Sequence, residues 1–354
     1  MTPSRHRAAR TIGPAALLLL GTLQALAAPA GDALDRPAVA VRQVERAVLI
    51  GAAQAGPRLV AVGERGLVAL SDDGLHWTQA PTPVSVTLTA VRFADATHGV
   101  AVGHGGTVLA TSDGGRSWTR KLDGRRLAQI ALETARAAND ARALKEAERL
   151  VAEGADKPLL DLLMLDAQRW IVVGAYGFAF ATDDGGAHWA SWMPRLDNPK
   201  GLHLYTLRRQ GDTLLMAGEQ GLVLLSQDGG RSFRRVETPY KGSIFSAEFT
   251  AANEIVLAGL RGQAWRSADG GASWAALASP MPVSITATAL AADGALLAAN
   301  QAGFVMALRG DRFVPLNRAP LPPLNGLLPR AGAPLLALGV QGVAALDLSA
   351  GTPK

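Results

Sequence analysis

The sequence of 354 residues contains no cysteine, so it can form neither a disulfide nor a thiolate metal site. The same absence removes the usual acceptor of a lipid anchor. The six histidines show no metal-ligand spacing, and aromatic residues make up only 5% of the chain. We therefore expect no metal ion and no cofactor. A chain of this length can bury a large core without cross-links.

Long apolar runs are also missing, except for one near the N-terminus. Arg5, Arg7 and Arg10 precede an apolar run over 12–27 that ends in small residues. This order predicts a signal peptide over residues 1–28, with its cleavage site open, because the run is short of the roughly 20 residues of a membrane span. An uncleaved anchor helix is the alternative. We expect an exported protein, periplasmic or otherwise extracytoplasmic, that is soluble or peripherally membrane-associated.

The charge balance gives no strong indication of a nucleic-acid partner. The chain has 35 Lys+Arg against 30 Asp+Glu, a net charge of +5, and loss of the three leader arginines would leave 32 against 30. No clustering of basic residues is apparent that would mark a nucleic-acid-binding face. We expect no nucleic acid among the partners.

One unit occurs five times in full and twice in degenerate form: an apolar strand, a G-x-x-G turn, a second strand and a polar turn that closes on an aromatic residue. The residues that open the first turn are Gly63, Gly103, Gly174, Gly218, Gly259, Asn300 and Gly339. Their spacing is 39–44 residues, apart from one interval of 71. A period of about 40–45 is typical of one four-stranded propeller blade. The sequence therefore predicts an all-β fold, a seven-bladed β-propeller over 37–348.

The polar turn matches the Asp box, S/T-x-D-x-G-x-x-W/F, completely in four copies. In the first copy Leu70 takes the place of the Ser/Thr. The carboxylate of such a box accepts hydrogen bonds from turn amides, so the motif indicates a fold and not an activity. The predicted structural aspartates are Asp72, Asp113, Asp184, Asp228 and Asp269.

The last copy lacks its outermost strand. The segment 39–44, Val-Ala-Val-Arg-Gln-Val, has the character of a strand. We predict that it pairs with the last blade, because this would remove two open strand edges at once. As a closed ring, the protein is expected to be monomeric.

The long interval between the second and third repeats predicts a helical insertion over 125–154. Its apolar residues recur at helical spacing, Asn139-Asp140 offers a break into two helices, and Gly154 is a stop signal. An amphipathic insertion can pack on the ring as a cap or serve as a partner-binding arm. The sequence leaves both roles open.

Function is expected where G-x-x-G turns and blade links share one face of the ring, a position that repeat proteins use for binding. Charged, aromatic and amide groups collect there, and Arg and Tyr dominate protein interfaces. The predicted partner-binding residues are Glu64, Arg65, His104, Tyr176, His203, Tyr205, Glu219, Tyr240, Lys241 and Arg261.

The repeats and insertion together resemble the propeller family of the photosystem II assembly and stability factor, in its non-photosynthetic bacterial branch. The resemblance rests on residues 62–66, 102–106, 156–161, 174–177, 201–205, 218–221 and 239–243. It implies an exported, non-enzymatic scaffold or assembly factor that binds a membrane protein or envelope complex. An exporter of the resistance-nodulation-division type is one candidate partner.

Two other functions are compatible with parts of the sequence. Asp boxes also occur in sialidases, but this chain has only three tyrosines and no Arg-Ile-Pro motif, and its seven repeats exceed the six blades of a sialidase. Glu64 and Glu219 are the carboxylates available for acid–base work on the expected face. We name no catalytic residue. Binding of a small ligand or a glycan in the channel remains the alternative to a scaffold.

Overall fold

Seven antiparallel sheets follow one another along residues 32–347, the part of the chain that the computed structural model describes. The predicted signal peptide lies outside the described residues. Six sheets have four strands and the seventh has three, and strands that are adjacent in the chain are adjacent in each sheet. The seven-bladed, all-β fold predicted from the repeats is confirmed.

The blades are numbered in chain order. Blade 1 contains β1 (Leu49–Ala55), β2 (Arg58–Gly63), β3 (Val68–Ser71) and β4 (Thr78–Ala80). Blade 2 contains β5 (Leu88–Phe93), β6 (Gly99–Gly103), β7 (Val108–Thr111) and β8 (Thr119–Leu122). Two helices follow, α1 (Gly124–Ala137) and α2 (Ala141–Glu153). Blade 3 contains β9 (Leu159–Met164), β10 (Trp170–Gly174), β11 (Ala179–Thr182) and β12 (Ala190–Ser191).

The remaining blades repeat this order. Blade 4 contains β13 (Leu204–Gln210), β14 (Thr213–Gly218), β15 (Val223–Ser226) and β16 (Arg234–Arg235). Blade 5 contains β17 (Ile244–Ala251), β18 (Glu254–Gly259), β19 (Ala264–Ser267) and β20 (Ala275–Leu277). Blade 6 contains β21 (Ile285–Leu290), β22 (Leu296–Asn300), β23 (Val305–Arg309) and β24 (Arg312–Pro315). Blade 7 contains β25 (Leu324–Leu328), β26 (Leu335–Gly339) and β27 (Gly342–Leu346).

The first strand of each blade is the innermost, and these seven strands pack side by side, with β25 returning to β1. The second strands are buried on both faces because each blade lies between two others. In β6, for example, Val100 and Val102 face blade 3, whereas Ala101 packs with residues of blade 1. Because successive side chains of a strand point to opposite faces, each second strand packs against both neighbouring blades, and an apolar layer fills each space between blades.

The Asp boxes close the turn between the third and fourth strands as predicted from four of the copies. In blade 4, Ser226 Oγ donates to Asp228 Oδ1 at 2.7 Å and accepts the Gly230 N–H at 2.9 Å. Asp228 Oδ1 also accepts the amide of Ser232 at 3.1 Å. Asp113, Asp184 and Asp269 make equivalent bonds in blades 2, 3 and 5.

The assignment of Asp72 to the first box is wrong by one residue. Ser71 Oγ accepts the Gly74 N–H at 2.8 Å, and Asp73 Oδ1 accepts the amides of Leu75 and His76 at 2.7 and 2.8 Å. The turn is one residue shorter than in the other blades, so Ser71 and not Leu70 is the hydroxyl residue. Asp72 instead points to solvent and pairs with Arg58 at 3.2 Å.

The predicted closing strand 39–44 is not formed, and blade 7 has three strands within the described residues. The side-chain amide of Gln79 accepts the Val41 N–H at 2.8 Å and donates to the Val39 carbonyl at 2.9 Å. Val44 is buried with Leu336 of blade 7. The segment therefore bridges blades 1 and 7 through one amide and one apolar side chain, without a strand ladder.

The helical insertion predicted between the second and third repeats is confirmed as a hairpin of α1 and α2. Asp123 and Asp140 cap the two helices by accepting amide hydrogen bonds at 3.0–3.2 Å. Gly154 ends α2 at a φ of 78°. Leu127 of α1 packs with Phe178 in the core between blades 2 and 3. The first helix is therefore a cap on the ring, and α2 packs on it with its outer side exposed.

Candidate functional site

The turn between the second and third strands lies beside the link that leaves the same blade, and we call this end of the ring the turn face. A Cβ added to Gly66 would lie 1.9 Å from the Val84 carbonyl oxygen, and one added to Gly221 would lie 2.0 Å from that of Tyr240. Only glycine permits so close an approach of turn and link. The Asp boxes lie at the other end of each blade, beyond the opposite ends of the same strands.

All ten predicted partner-binding residues lie in the turns, in the links or at the adjoining strand starts. They are Glu64 and Arg65 in blade 1, His104 in blade 2, Tyr176 in blade 3, His203, Tyr205 and Glu219 in blade 4, Tyr240 and Lys241 in the following link, and Arg261 in blade 5. The structure brings four of them together around blades 3 and 4. No hydrogen bond, ion pair or ring contact between described side chains joins Glu64, Arg65 or His104 to this group.

Four turns hold a large side chain in the left-handed backbone region. These residues are Arg65, Tyr176, Gln220 and Arg261, with φ between 53° and 58°. Side chains of this kind are uncommon there, because the left-handed conformation costs roughly 1–2 kcal/mol in a residue with a Cβ. In blade 2 the same position is Gly105, and the only other non-glycine residues with positive φ in 32–347 are Asn139 and Asn253. Asparagine tolerates this conformation, so the strain is concentrated on the turn face.

An aromatic ladder crosses the turn face from blade 3 to blade 5. Ring centroids are 5.1 Å apart between Tyr176 and His203, 6.2 Å between His203 and Tyr205, and 5.4 Å between Tyr205 and Phe245. The Lys157 ammonium lies 4.8 Å from the ring centroid of Tyr176, a distance suited to a cation–π interaction. Tyr176 is 40% exposed. The blade 3 end of the ladder is therefore accessible at the surface.

Glu219 fixes the middle of the ladder. Its Oε2 accepts the backbone N–H of His203 at 3.2 Å and lies 3.3 Å from the His203 Nδ1. That nitrogen is buried without an aligned hydrogen bond. Burial raises the pKa of Tyr205, the Glu219 charge raises it further, and a hydrogen bond with Ser243 opposes both. The phenol therefore stays neutral at physiological pH.

Phe245 was missed by the sequence analysis, although its position offered a signal. It is the bulged residue of its inner strand, as Tyr205 is in the blade before. The bulged residues of the seven inner strands are Ile50, Thr89, Leu160, Tyr205, Phe245, Thr286 and Asn325. Thr89 Oγ1 donates to the Leu159 carbonyl of the next blade at 2.8 Å. At Tyr205 and Phe245 a ring contact takes the place of such a bond.

The side chains of Tyr240 and Lys241 are held by hydrogen bonds within the protein. The Tyr240 hydroxyl donates to the Leu260 carbonyl at 3.0 Å, and the Lys241 ammonium donates to the Thr238 carbonyl at 3.2 Å. Burial raises the pKa of Tyr240, and Arg261 opposes this shift. Arg261 is exposed and makes no ion pair with a described residue, so its side chain is the least constrained of the three.

A charged belt, also missed from the sequence, joins the inner strands of blades 2 to 5. Arg92 lies 2.9 Å and Arg208 lies 2.7 Å from the carboxylate of Asp161, and Arg208 also contacts Glu248 at 2.9 Å. Burial alone would raise the pKa of Asp161, but the two arginines, together with two backbone amides, outweigh it and hold that pKa below its usual value. Two cations and two carboxylates balance, so the belt presents no free charge to a ligand.

A groove of about 610 Å³ separates the helical hairpin from the link between blades 3 and 4. Its apolar lining includes Ala135, Leu150 and Met193, and Tyr176 of the aromatic ladder stands at its edge. The side chain of Arg142 donates to the Pro199 carbonyl across it. The groove is therefore continuous with the turn face.

Two kinds of site receive no support within residues 32–347. No group of three or more His, Asp and Glu side chains there is arranged to hold a metal ion. None of the helices in that range has both the length and the apolar character needed to cross a membrane.

The fold and this face define an Asp-box β-propeller with a helical insertion and a mixed aromatic and charged face. The family described as "Photosynthesis system II assembly factor YCF48" matches at residues 70–142 and 141–318. Because these matches span more than half of the chain, the protein belongs to this family, and the resemblance inferred from the repeats is confirmed.

Similar proteins agree with this assignment. "Photosystem II assembly lipoprotein Ycf48" of Synechococcus sp. (strain CC9902) is 32% identical over 77 residues, which are 22% of this chain and 23% of that protein. The match thus spans about a quarter of the curated relative.

Solved structures resemble the fold over most of its length. "YCF48 bound to D1 peptide" has a TM-score of 0.63 at 15% identity and covers 88% of this chain and 99% of its own. "YCF48 from Cyanidioschyzon merolae" has a TM-score of 0.62 at 16% identity, covering 86% and 96%. The WD40 propeller domain of Doa1 gives 0.62 at 9% identity, covering 88% and 95%. At these identities the likeness establishes the propeller fold alone.

Proposed function

We propose that this protein is a non-catalytic, extracytoplasmic assembly or accessory factor that binds an exposed segment of a membrane protein or envelope complex. The ten turn-face residues and the aromatic ladder would supply the contacts. Membership of an assembly-factor family supports this role, and so does the structural relative described as "YCF48 bound to D1 peptide". The ring closes on itself, so we propose a monomeric factor.

The observation that carries the proposal is the strain in the four turns. Glycine at Arg65, Tyr176, Gln220 and Arg261 would relieve roughly 1–2 kcal/mol at each position and would cost about 0.5–1 kcal/mol in chain entropy. Stability therefore does not explain these side chains. Residues held in unfavourable backbone conformations cluster at functional sites, which favours a binding role.

The test is a crosslinked pull-down from membranes with the wild type and a variant carrying Arg65→Gly, Tyr176→Gly, Gln220→Gly and Arg261→Gly. We expect the wild type to enrich one membrane protein and the fourfold variant to lose it while its melting temperature does not fall. Asn253→Gly changes a left-handed residue at the other end of the ring and should retain the partner. Equal recovery by the fourfold variant would show that the turns are not the binding site.

The client remains to be named by that experiment, and an exporter of the resistance-nodulation-division type is the candidate we would test first. Mass spectrometry of the enriched band identifies it directly. Purified wild type and fourfold variant can then be compared for binding to a soluble domain of the same client.

A small-ligand or glycan function is the second candidate, because the hairpin groove has the size of ordinary ligand pockets, about 300–1,000 Å³. A saturable rise in melting temperature with a sugar or lipid, lost on narrowing the groove by Ala135→Leu, would favour it. A glycosidase is less consistent with the site. Glu64 and Glu219 belong to blades three positions apart on the ring, and Glu219 is engaged with His203.

A further inference from the structure

The first described residues, 32–47, form a strap that crosses the turn face over three blades. Leu34 covers the turn of blade 2 and would touch a Cβ at Gly105 at 2.9 Å. Next along the chain, the strap passes the turn of blade 1, where the Ala38 N–H donates to the Thr82 carbonyl at 3.1 Å. It ends on blade 7, where the Glu45 carbonyl oxygen would lie 1.8 Å from a Cβ at Gly342.

Ion pairs hold the beginning of the strap. Arg120 lies 3.0 Å and Arg125 lies 3.2 Å from the carboxylate of Asp35, and Arg125 also pairs with Asp32. These two contacts lower the pKa of Asp35. Both aspartates of the strap are thus neutralised by residues of the ring and its insertion, and they are not available to its own arginines.

The arginines of the strap remain uncompensated. Arg36, Arg42 and Arg46 are exposed, and no carboxylate of a described residue lies within 4 Å of them. They were not part of the site predicted from the sequence, because no run of basic residues marks them. The strap brings Arg36 and Arg46 to the turn face, because Ala38 lies against Gly66 in the blade 1 turn and Arg46 lies against Gly342 in the blade 7 turn. Arg42 follows the contact of Val41 with Gln79, at the outer strand of blade 1.

The rest of the turn face adds to this positive charge. Arg65, Arg261 and Arg318 are exposed there without an ion pair to a described residue. The unpaired carboxylates on the same face are Glu45, Glu64 and Asp197. Six arginines therefore stand against three carboxylates.

The opposite end of the ring carries carboxylates as well as arginines. Five Asp-box carboxylates lie there, Asp73, Asp113, Asp184, Asp228 and Asp269, and turn hydrogen bonds lower the pKa of each. They remain ionised near neutral pH. The turn face therefore has an excess of unpaired positive charge, and an excess of one sign on one face orients a protein near a charged surface.

We propose that the turn face and its strap dock on the surface of a bilayer that contains anionic phospholipids. The arginines contact headgroup phosphates, which suit guanidinium groups in charge and geometry. The docked protein presents its aromatic ladder towards the membrane, where an extramembrane loop of a client would lie. This lipid contact does not depend on the identity of the client.

The test is vesicle co-sedimentation of the full chain, using phosphatidylcholine alone or with about 30% phosphatidylglycerol. Arg36→Gln, Arg42→Gln and Arg46→Gln are combined in one strap variant. We expect its partition coefficient on anionic vesicles to fall roughly a hundredfold, because each basic residue near such a surface contributes about fivefold. Binding of the wild type should also fall at about 1 M salt.

A matched control removes the same charge from the other end of the ring by Arg209→Gln, Arg231→Gln and Arg309→Gln. All variants carry the same leader, so differences among them report the propeller. Equal losses in the two triple variants would mean that net charge, and not the turn face, governs binding. Equal binding of wild type and strap variant would overturn the proposal.

Client capture separates this proposal from the preceding one. The strap variant should still capture the client in detergent, without a bilayer, whereas the fourfold glycine variant should not. If the strap variant loses the client in detergent but keeps its vesicle binding, the arginines recognise an acidic protein segment and the lipid assignment is wrong.

Discussion

Asp161 lies at the centre of the charged belt. The substitution Asp161→Asn therefore tests most directly how the inner strands are held together. Its side chain is only 6% exposed and pairs with Arg92 and Arg208. Asparagine keeps the size but removes the charge that compensates both guanidinium groups. Removing one partner of a buried pair costs about 3–5 kcal/mol. Because Arg92 is about one-third exposed and Arg208 keeps Glu248, we expect the lower value, about 3 kcal/mol.

The assay is thermal unfolding at pH 7, measured by calorimetry. An entropy of unfolding of about 2.1 cal/mol/K per residue gives about 0.6 kcal/mol/K for a unit of roughly 300 residues, so 3 kcal/mol lowers the melting temperature by about 5 °C. Asp311→Asn is the control, because Asp311 pairs with Arg312 where both side chains are exposed and such pairs contribute at most about 1 kcal/mol. A shift for Asp161→Asn no larger than that of the control would refute the belt as a structural clamp.

Three further predictions concern the turns, the insertion and the response to acid. Asp73→Ala should lower the melting temperature and Asp72→Ala should leave it nearly unchanged, because only Asp73 accepts the turn amides. A larger loss for Asp72→Ala than for Asp73→Ala would instead support Asp72 as the carboxylate of the first box. Leu127→Ala should cost about 2–5 kcal/mol in unfolding free energy by denaturant titration, because Leu127 is fully buried beneath the hairpin; a loss under 1 kcal/mol would mean that α1 is not a cap. Hydrogen bonds lower the pKa of Asp184 to about 2. At Asp113 burial opposes the hydrogen bonds, but they outweigh it and the pKa is again about 2. The two ionised carboxylates therefore contribute fully to the free energy of unfolding above about pH 4, and this contribution is lost as pH falls towards 2. Melting temperatures from pH 6 to pH 2 should therefore decline less steeply for Asp184→Asn than for the wild type.

The ring was predictable because its signals are local. An Asp box contains its hydroxyl, carboxylate, glycine and aromatic residue within eight positions, so a short stretch specifies one turn without help from the rest of the chain. Repetition at about 40 residues then fixes the number of blades. The helical insertion was predictable for the same reason, because Asp140 and Gly154 lie directly at the start and at the end of α2.

The errors and omissions have two causes, an ambiguous local register in one turn and contacts between distant segments elsewhere. Two adjacent aspartates fit the first box almost equally well, and only the position of the Ser71 hydroxyl selects Asp73. The segment 39–44 has the composition of a strand, but the Gln79 side chain takes the hydrogen bonds that a partner strand would supply. Such competition between a side-chain amide and a strand ladder is invisible to a pattern of alternating residues.

The charged belt illustrates a different limit. Asp161 and Arg208 lie 47 residues apart in the chain and meet only because their inner strands are neighbours in the ring. A charged residue on a buried strand is unusual. Arg208 and Glu248 could therefore have been recognised from the sequence as exceptions to the apolar pattern of β13 and β17. Their pairing could not, since it depends on the stagger between adjacent blades.

The two ends of each blade follow different physical rules, and this contrast is the strongest reason to place function at the turn face. In the Asp-box turns, glycines take the positive φ values, as Gly230 does at 87°, and each carboxylate has its turn amides. At the turn face the same fold accepts strained Arg65 and Tyr176, although Gly105 in blade 2 demonstrates that glycine fits the same position. Natural sequences break local rules chiefly where function requires it. Because the architecture repeats, blade 2 serves as an internal control for its neighbours, and the departure from it supports our proposal that these side chains serve binding.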